Sequence, residues 1–280
     1  METGHRSSWS DVLVTRPGRG DVKRCLEFME ADSHVRGRRV LIKPNLTVNL
    51  PAETGVTTHP YLFREAAEYL LDVGASEVVL GEGRAGRAMR AFKDQGFVDI
   101  AADLDIRIVD FWDDEAVEVR VPNPLVADTF KIAKTALHCD VILNLPVMKI
   151  HVGESRVTLC AKNMMGCIWG DKSFMHTDFN LKIVDLLKEV RPHLNIVDGI
   201  VGMERREIGG RPVGSNVLVA GVDFVAVDAV SSWIMGFKPM EVEHIALAER
   251  HGFGWARPEK IKIHGLSVED VARPFERASQ

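Results

Sequence analysis

Short runs of branched apolar residues, each closed by a turn and followed by a helical pattern, constrain this chain more than any other feature. Arg39-Val40-Leu41-Ile42-Lys43 places three such side chains in a row and stops at Pro44-Asn45. Continuous runs of this length suit strands covered on both faces, as in parallel sheets. Between Pro60 and Val73, residues Leu62, Ala66, Leu70 and Val73 recur at helical spacing, and Gly74 ends the segment. Further strands are expected at 11–15, 77–81, 107–110, 140–146, 194–199, 217–221 and 260–264. Helices are expected near 21–31, 84–105, 157–165, 180–190, 223–235 and 240–251, with a weakly helical tail over 267–280. Such alternation predicts right-handed crossovers and an α/β fold: a mostly parallel Rossmann-like sheet with flanking helices. The segment 116–132 differs, because Val117, Val119 and Val121 alternate with charged neighbours. It reads as an antiparallel pair at the sheet edge. The chain is taken either as one domain or as two α/β lobes, 1–112 and 113–280, with the site between them.

Composition excludes several classes of function. The 280 residues hold 35 Lys+Arg against 40 Asp+Glu, a formal charge of −5. Mild acidity leaves no footprint for nucleic acid or an anionic membrane. Cys25, Cys139, Cys160 and Cys167 form no CxxC pair, so neither a zinc ribbon nor a ferredoxin motif is present. The opening METGHRSSWSDV is polar and charged, which predicts no secretory signal. No apolar run approaches the roughly 18–20 residues of a membrane span. A cytoplasmic protein with reduced thiols is expected. Nucleophile elbow, P-loop and HExxH motifs are absent.

Ligands of open parallel sheets sit beyond the carboxyl ends of the strands. That rule selects Lys43-Pro44-Asn45, Gly81-Glu82-Gly83, the stretch from Asn144 to His151, and Asp198-Gly199. In an extended Lys149-Ile150-His151, the lysine and the histidine point the same way. Like-charge repulsion would then lower both pKa values, which suits acid–base work near neutrality; the competing reading is two solvated side chains on a loop. Lys162-Asn163 interrupts an apolar run. Its lysine either snorkels from a helix or enters a pocket, where it pairs with a carboxylate or phosphate or acts as nucleophile or base. Asp178 is placed to cap the 180–190 helix, and His176 beside it stays open. His59 stands at a helix entrance, where backbone N–H groups favour anions. Asp198 and Asp228, next to or within apolar stretches, need partners if buried, and a nearby lysine is the natural one. The turn at Gly81–Gly86 resembles a phosphate loop only in outline and is read as a tight turn. Trp169 and Trp233 either line a pocket or pack the core.

An ordered set of motifs resembles the domain-of-unknown-function 362 family over roughly residues 35–240. These motifs are Val40-Leu41-Ile42-Lys43-Pro44-Asn45, Gly55-Val56-Thr57-Thr58-His59-Pro60, Asn144-Leu145-Pro146-Val147-Met148-Lys149-Ile150-His151, Leu159-Cys160-Ala161-Lys162-Asn163-Met164-Met165-Gly166 and Val197-Asp198-Gly199-Ile200-Val201-Gly202-Met203-Glu204. Many relatives carry a ferredoxin-like module with eight cysteines; this chain lacks it, so the resemblance implies no electron-transfer role here. In layout the chain is also similar to the nickel-pincer lactate racemase family. There, a lysine anchors the pincer nucleotide covalently, and histidines act in acid–base chemistry or ligate nickel. His151, Lys162 and His176 fall at nearly that family's spacing. Cys160-Ala161 replaces its glycine-rich turn, and only Lys43-Pro44 stands for its arginine-proline loop. Architecture and site location carry over; a nickel-pincer nucleotide or a divalent metal is not supported by the residues, and the cofactor is left open.

The expectation is an enzyme whose cleft is lined by Lys43, His59, Lys149, His151, Lys162 and His176. Lys149, His151, Lys162 and His176 are its catalytic candidates; Lys43, Asn45, His59, Asn144, Asn163 and Asp198 its substrate-binding ones. Its partner would be a small carboxylate or phosphorylated molecule, its chemistry of the isomerase or lyase class. The alternative is a metal-handling protein using His151, His176 and a carboxylate such as Asp178 or Asp198.

Overall fold

A computed structural model describes residues 8–84, 86–153 and 155–277. Its strands are β1 (Ser10–Thr15), β2 (Arg39–Pro44), β3 (Glu77–Glu82), β4 (Arg107–Asp110), β5 (Ala116–Arg120), β6 (Thr129–Ala133), β7 (Val141–Leu145), β8 (Val147–Ile150), β9 (Val157–Thr158), β10 (Leu194–Glu204), β11 (Arg211–Gly221) and β12 (Ile261–Gly265). The main sheet runs in the order β12-β1-β11-β10-β7-β2-β3-β4, with β8 beside β10 and β9 beside β8. Along that path β11 alone opposes its neighbours; every other pairing between path strands is parallel. The α/β class and the mostly parallel sheet are therefore as the apolar runs predict. Strands on both sides of residue 112 share this sheet, β1 lying between β11 and β12 and β2 beside β7.

The pleat sends alternate side chains to two cores. Val40, Ile42, Leu143 and Ile196 face helices Asp21–Phe28, Pro60–Asp72, Met89–Asp94 and Phe97–Asp103. Leu41, Ile142 and Val197 face helices Phe179–Glu189, Phe224–Ile234 and Glu243–Arg250. The result is three layers with the sheet in the middle.

Three local expectations are corrected. The pair within 116–132 is antiparallel but forms its own two-stranded sheet from β5 and β6, while β4 and β12 end the main path. Its buried side, Phe130 and Ile132, joins the second core instead of adding hydrogen bonds to an edge. The stretch 157–165 is not one helix: Val157–Thr158 pairs with β8, and helix begins only at Cys160. The β-branched pair Val157-Thr158 favours the strand there. Asp178 occupies the N-cap position at φ 50°, but its side chain makes no capping bond. That left-handed backbone is one an Asp tolerates.

Candidate functional site

Pro146 sets the geometry at the carboxyl end of the sheet. Leu145 is the last β7 residue to pair with β2. Pro146 has no N–H to continue that ladder, and its carbonyl instead accepts a hydrogen bond from Asp198 N at 2.8 Å. The chain then crosses to β10 as β8, pairing Val147 with Asp198 and Lys149 with Met203. Because β10 and β11 form a long hairpin, this shift brings the hairpin's turn, with Glu207, alongside His151.

Lys149 is fully buried, and its ammonium meets three oxygens: Asn45 Oδ1 at 2.5 Å, Thr47 Oγ1 at 3.2 Å and Val56 O at 3.2 Å. Behind it runs a one-way chain of amides. Asn45 donates to Asn163 Oδ1 at 2.7 Å, Asn163 to Asn144 Oδ1 at 2.8 Å, Asn144 to Asn195 Oδ1 at 3.2 Å, and Asn195 to Gly221 O at 3.2 Å. Each link uses one amide's N–H and the next one's oxygen, so Asn45 can only offer its oxygen to the lysine. Burial, with the charge of Lys162 second, pulls the Lys149 pKa down to about 7.

In front of this chain, two imidazoles and an amine gather on the ring of Phe179. The His151 ring stacks on it at 5.4 Å between centroids, the His176 ring lies 6.3 Å away and near-parallel, and Lys162 Nζ stands 5.5 Å from its centroid. His151 Nδ1 accepts the Gly153 N–H at 3.1 Å. The proton therefore sits on Nε2, which points toward Glu207 Oε1 at 3.9 Å. Burial and then Lys162 lower the His151 pKa to about 4, so the ring is neutral at pH 7. Burial also lowers Lys162 to about 8, with Glu207 opposing it. Burial works against the Glu207 carboxylate, but backbone hydrogen bonds and the neighbouring His151 and Lys162 side chains hold its pKa below the usual value. His244, fully buried with no hydrogen bond to either ring nitrogen among the described residues, is lowered to about 3 by burial, Lys162 and His151.

Lys162 owes its position to Asp228. That carboxylate accepts Cys160 N at 2.6 Å and Ala161 N at 3.0 Å, fixing the start of the short helix that carries the lysine. Its partners are thus two backbone amides and the Cys160 thiol, not the expected lysine. Asp198 likewise pairs with His59: His59 Nδ1 and His59 N both lie 2.8 Å from Oδ2. The anion expected at that helix entrance is the protein's own carboxylate. Burial alone would lower the His59 pKa, yet the hydrogen bond and charge of Asp198 raise it. Lys43 is buried on Glu82 at 2.7 Å and bonds Pro44 O at 3.2 Å. Gly166 packs so closely that a Cβ there would fall 2.5 Å from Lys43 Nζ. The turn after β3 is set by a similar approach, since a Cβ on Gly83 would meet Gly166 O at 2.6 Å.

Lys149, His151, Lys162 and His176 therefore come together; Lys43 lies beside them inside an ion pair, and His59 with Asp198 forms a separate pair. Asn163 links Asn45 to Asn144 by hydrogen bonds, and of the three Asn45 alone bonds Lys149. Glu207, Phe179, Asn195 and His244 were not foreseen. Asn195 and His244 had a signal, a polar residue inside an apolar strand or helix stripe. Glu207 in a charged turn and Phe179 in a core-like pattern had none. Trp169 donates to Asp114 O at 2.9 Å, and Trp233 is exposed. A cavity of about 590 Å³ opens at the opposite end of the sheet, near Trp9, Arg191, His193 and Asp223, away from these residues.

Among the described residues no group of three or more His, Cys, Asp or Glu is arranged to hold a metal ion. No helix among the described residues is long and apolar enough to cross a membrane.

Comparison with known proteins bears on identity. The thylakoid-associated protein sll1697 of Synechocystis sp. is 28% identical over 260 residues, covering 86% of this chain and 79% of that protein. The lactate racemase apoprotein of Thermoanaerobacterium thermosaccharolyticum is similar at a TM-score of 0.43 and 11% identity, covering 81% of this chain. The match takes in 57% of that racemase, little more than half its length. Residues 40–233, most of the span in which the five motifs fall, match the family described as Domain of unknown function (DUF362), and the chain belongs to that family.

Proposed function

We propose that this chain is an enzyme that binds a small carboxylate or phosphorylated substrate at the cluster on Phe179 and moves protons there, in isomerase or lyase chemistry. One observation carries the reading: Lys162 has neither a hydrogen bond nor an ion pair among the described residues, while His151 and Glu207 flank it. A half-buried ammonium without a counter-ion is costly, and an anionic group supplies one. Neutral His151 offers its Nε2–H to a substrate oxygen, and the Glu207 carboxylate accepts a proton. Lys149, with its donors on three oxygens, closes the site from behind and holds Asn45, Thr47 and Val56 in place. Each positioned acid or base contributes about 10²–10⁴-fold. The reading places the enzyme in a reducing compartment, the cytoplasm, in keeping with four free cysteines.

The test is calorimetric titration with propionate, succinate and glycerol phosphate, against the native chain and Lys162→Met. At least one anion binds the native chain, and the variant loses it. Equal binding to both proteins, or none to either, removes the cluster as the anion site.

A further inference from the structure

Four lysines cluster at this end of the sheet, and three have partners. Lys43 is paired with Glu82, Lys149 donates to three oxygens, and Lys172 Nζ donates to Gly83 O at 2.6 Å. Lys162 alone among them presents its amine to a ring face. The start of the helix that carries it is pinned by Asp228, which fixes where the amine stands. A lysine that served only as a counter-ion would gain from the hydrogen bonds its three neighbours have. Under it, the His244 ring is buried with both nitrogens unpaired among the described residues, a polar group that a ligand at the cluster can satisfy.

We propose that Lys162 is a nucleophile that forms an imine with a substrate carrying a carbonyl beside its anionic group, a 2-oxo acid being the simplest class. The inference deepens the anion-site reading and rests on it. The nitrogen lone pair adds to the carbonyl carbon, a C–N bond forms, and the C=O π pair moves to oxygen. Glu207 takes the proton shed by nitrogen and returns it to that oxygen, which the His151 Nε2–H holds by a hydrogen bond. One further proton, entering from solution through Glu207, lets the hydroxyl leave as water, and the nitrogen lone pair closes the C=N bond. The protonated imine then withdraws electrons from the adjacent carbon, which is what proton abstraction or C–C cleavage requires. A desolvated amine titrating at about 8 has a substantial neutral fraction near pH 7.5.

The experiment incubates the full chain with pyruvate and sodium borohydride, whose hydride reduces an imine to a stable secondary amine, followed by intact mass and peptide mapping. The expected result is one reduced pyruvyl group on Lys162, absent in Lys162→Met and in Lys162→Arg. Labelling slows at least tenfold in Glu207→Gln while the protein stays folded by circular dichroism. Labelling spread over exposed lysines such as Lys23 and Lys238 and unchanged in Lys162→Met overturns the proposal, as does no labelling. Propionate, which has the carboxylate and no carbonyl, separates the two readings. If it binds in a Lys162-dependent way while borohydride traps nothing, the anion site stands and the imine falls.

Discussion

Lys149 and Lys162 stand in neighbouring regions with opposite chemistry. The first sits at the head of a chain of amides whose direction is fixed, and every donor it has meets an oxygen. The second lies over a phenyl ring with a carboxylate near enough to raise its pKa but not to bond it. Both are lysines in apolar surroundings, and both have depressed pKa values with burial as the largest cause. The difference teaches that a lowered pKa does not by itself mark a reactive amine. What separates the two is partnering: among the described residues Lys149 meets three oxygens, whereas Lys162 faces a ring and has no hydrogen bond or ion pair.

Breaking the satisfied region costs most. Lys43→Met leaves Glu82 charged and buried, and about 3–5 kcal/mol of stability should be lost; the double variant Lys43→Met/Glu82→Leu should recover most of it in urea unfolding. Lys149→Met strands the oxygens of Asn45 and Val56, at about 2 kcal/mol.

Lys162→Met should go the other way, gaining about 1–2 kcal/mol at pH 7, because a desolvated amine is removed and no partner is orphaned. The sign follows from linkage. Its folded pKa, about 8, lies below the unfolded value of roughly 10.4, so the unfolded chain binds the proton more tightly and native stability rises between those two pH values. The variant's advantage is therefore largest below pH 8 and gone above about 10.4, as melts across pH would show. A loss of stability at pH 7 would place Lys162 in the same class as Lys149.

The smallest effect concerns the pair set apart from both regions. His59 has a raised pKa, so its contribution with Asp198 is complete below the ordinary imidazole value of roughly 6.5 and fades as pH climbs through the raised one. Asp198→Asn should abolish that slope and return the His59 titration, followed by NMR, toward or below 6.5.

The main sheet was legible because a strand buried on both faces must be written in uninterrupted Val, Ile and Leu, as at 40–42 and 141–143. The gathering of Lys149, His151 and Lys162 was legible for the complementary reason: charge within such runs is too costly to be accidental. The partners were not. Spacing reports which way a side chain leaves its strand, and says nothing of what a distant segment brings to meet it. Hence Asp198 met an imidazole and Asp228 two backbone amides and a thiol where lysines were expected, and Asp178 adopted the cap position without its bond. Glu207 was invisible because a turn of Arg205-Arg206-Glu207 looks like any solvated corner until Pro146 redirects β8 toward it.

That redirection separates two kinds of mounting. The amines and the imidazole of His151 are bolted to strand and helix, whereas the acid rides on the bend of a long ribbon. On the proposed reading, lengthening or trimming the bend would re-aim Glu207 and leave the Lys162 side chain where it is, so editing a few residues at the tip would retune the chemistry of such a scaffold without rebuilding it.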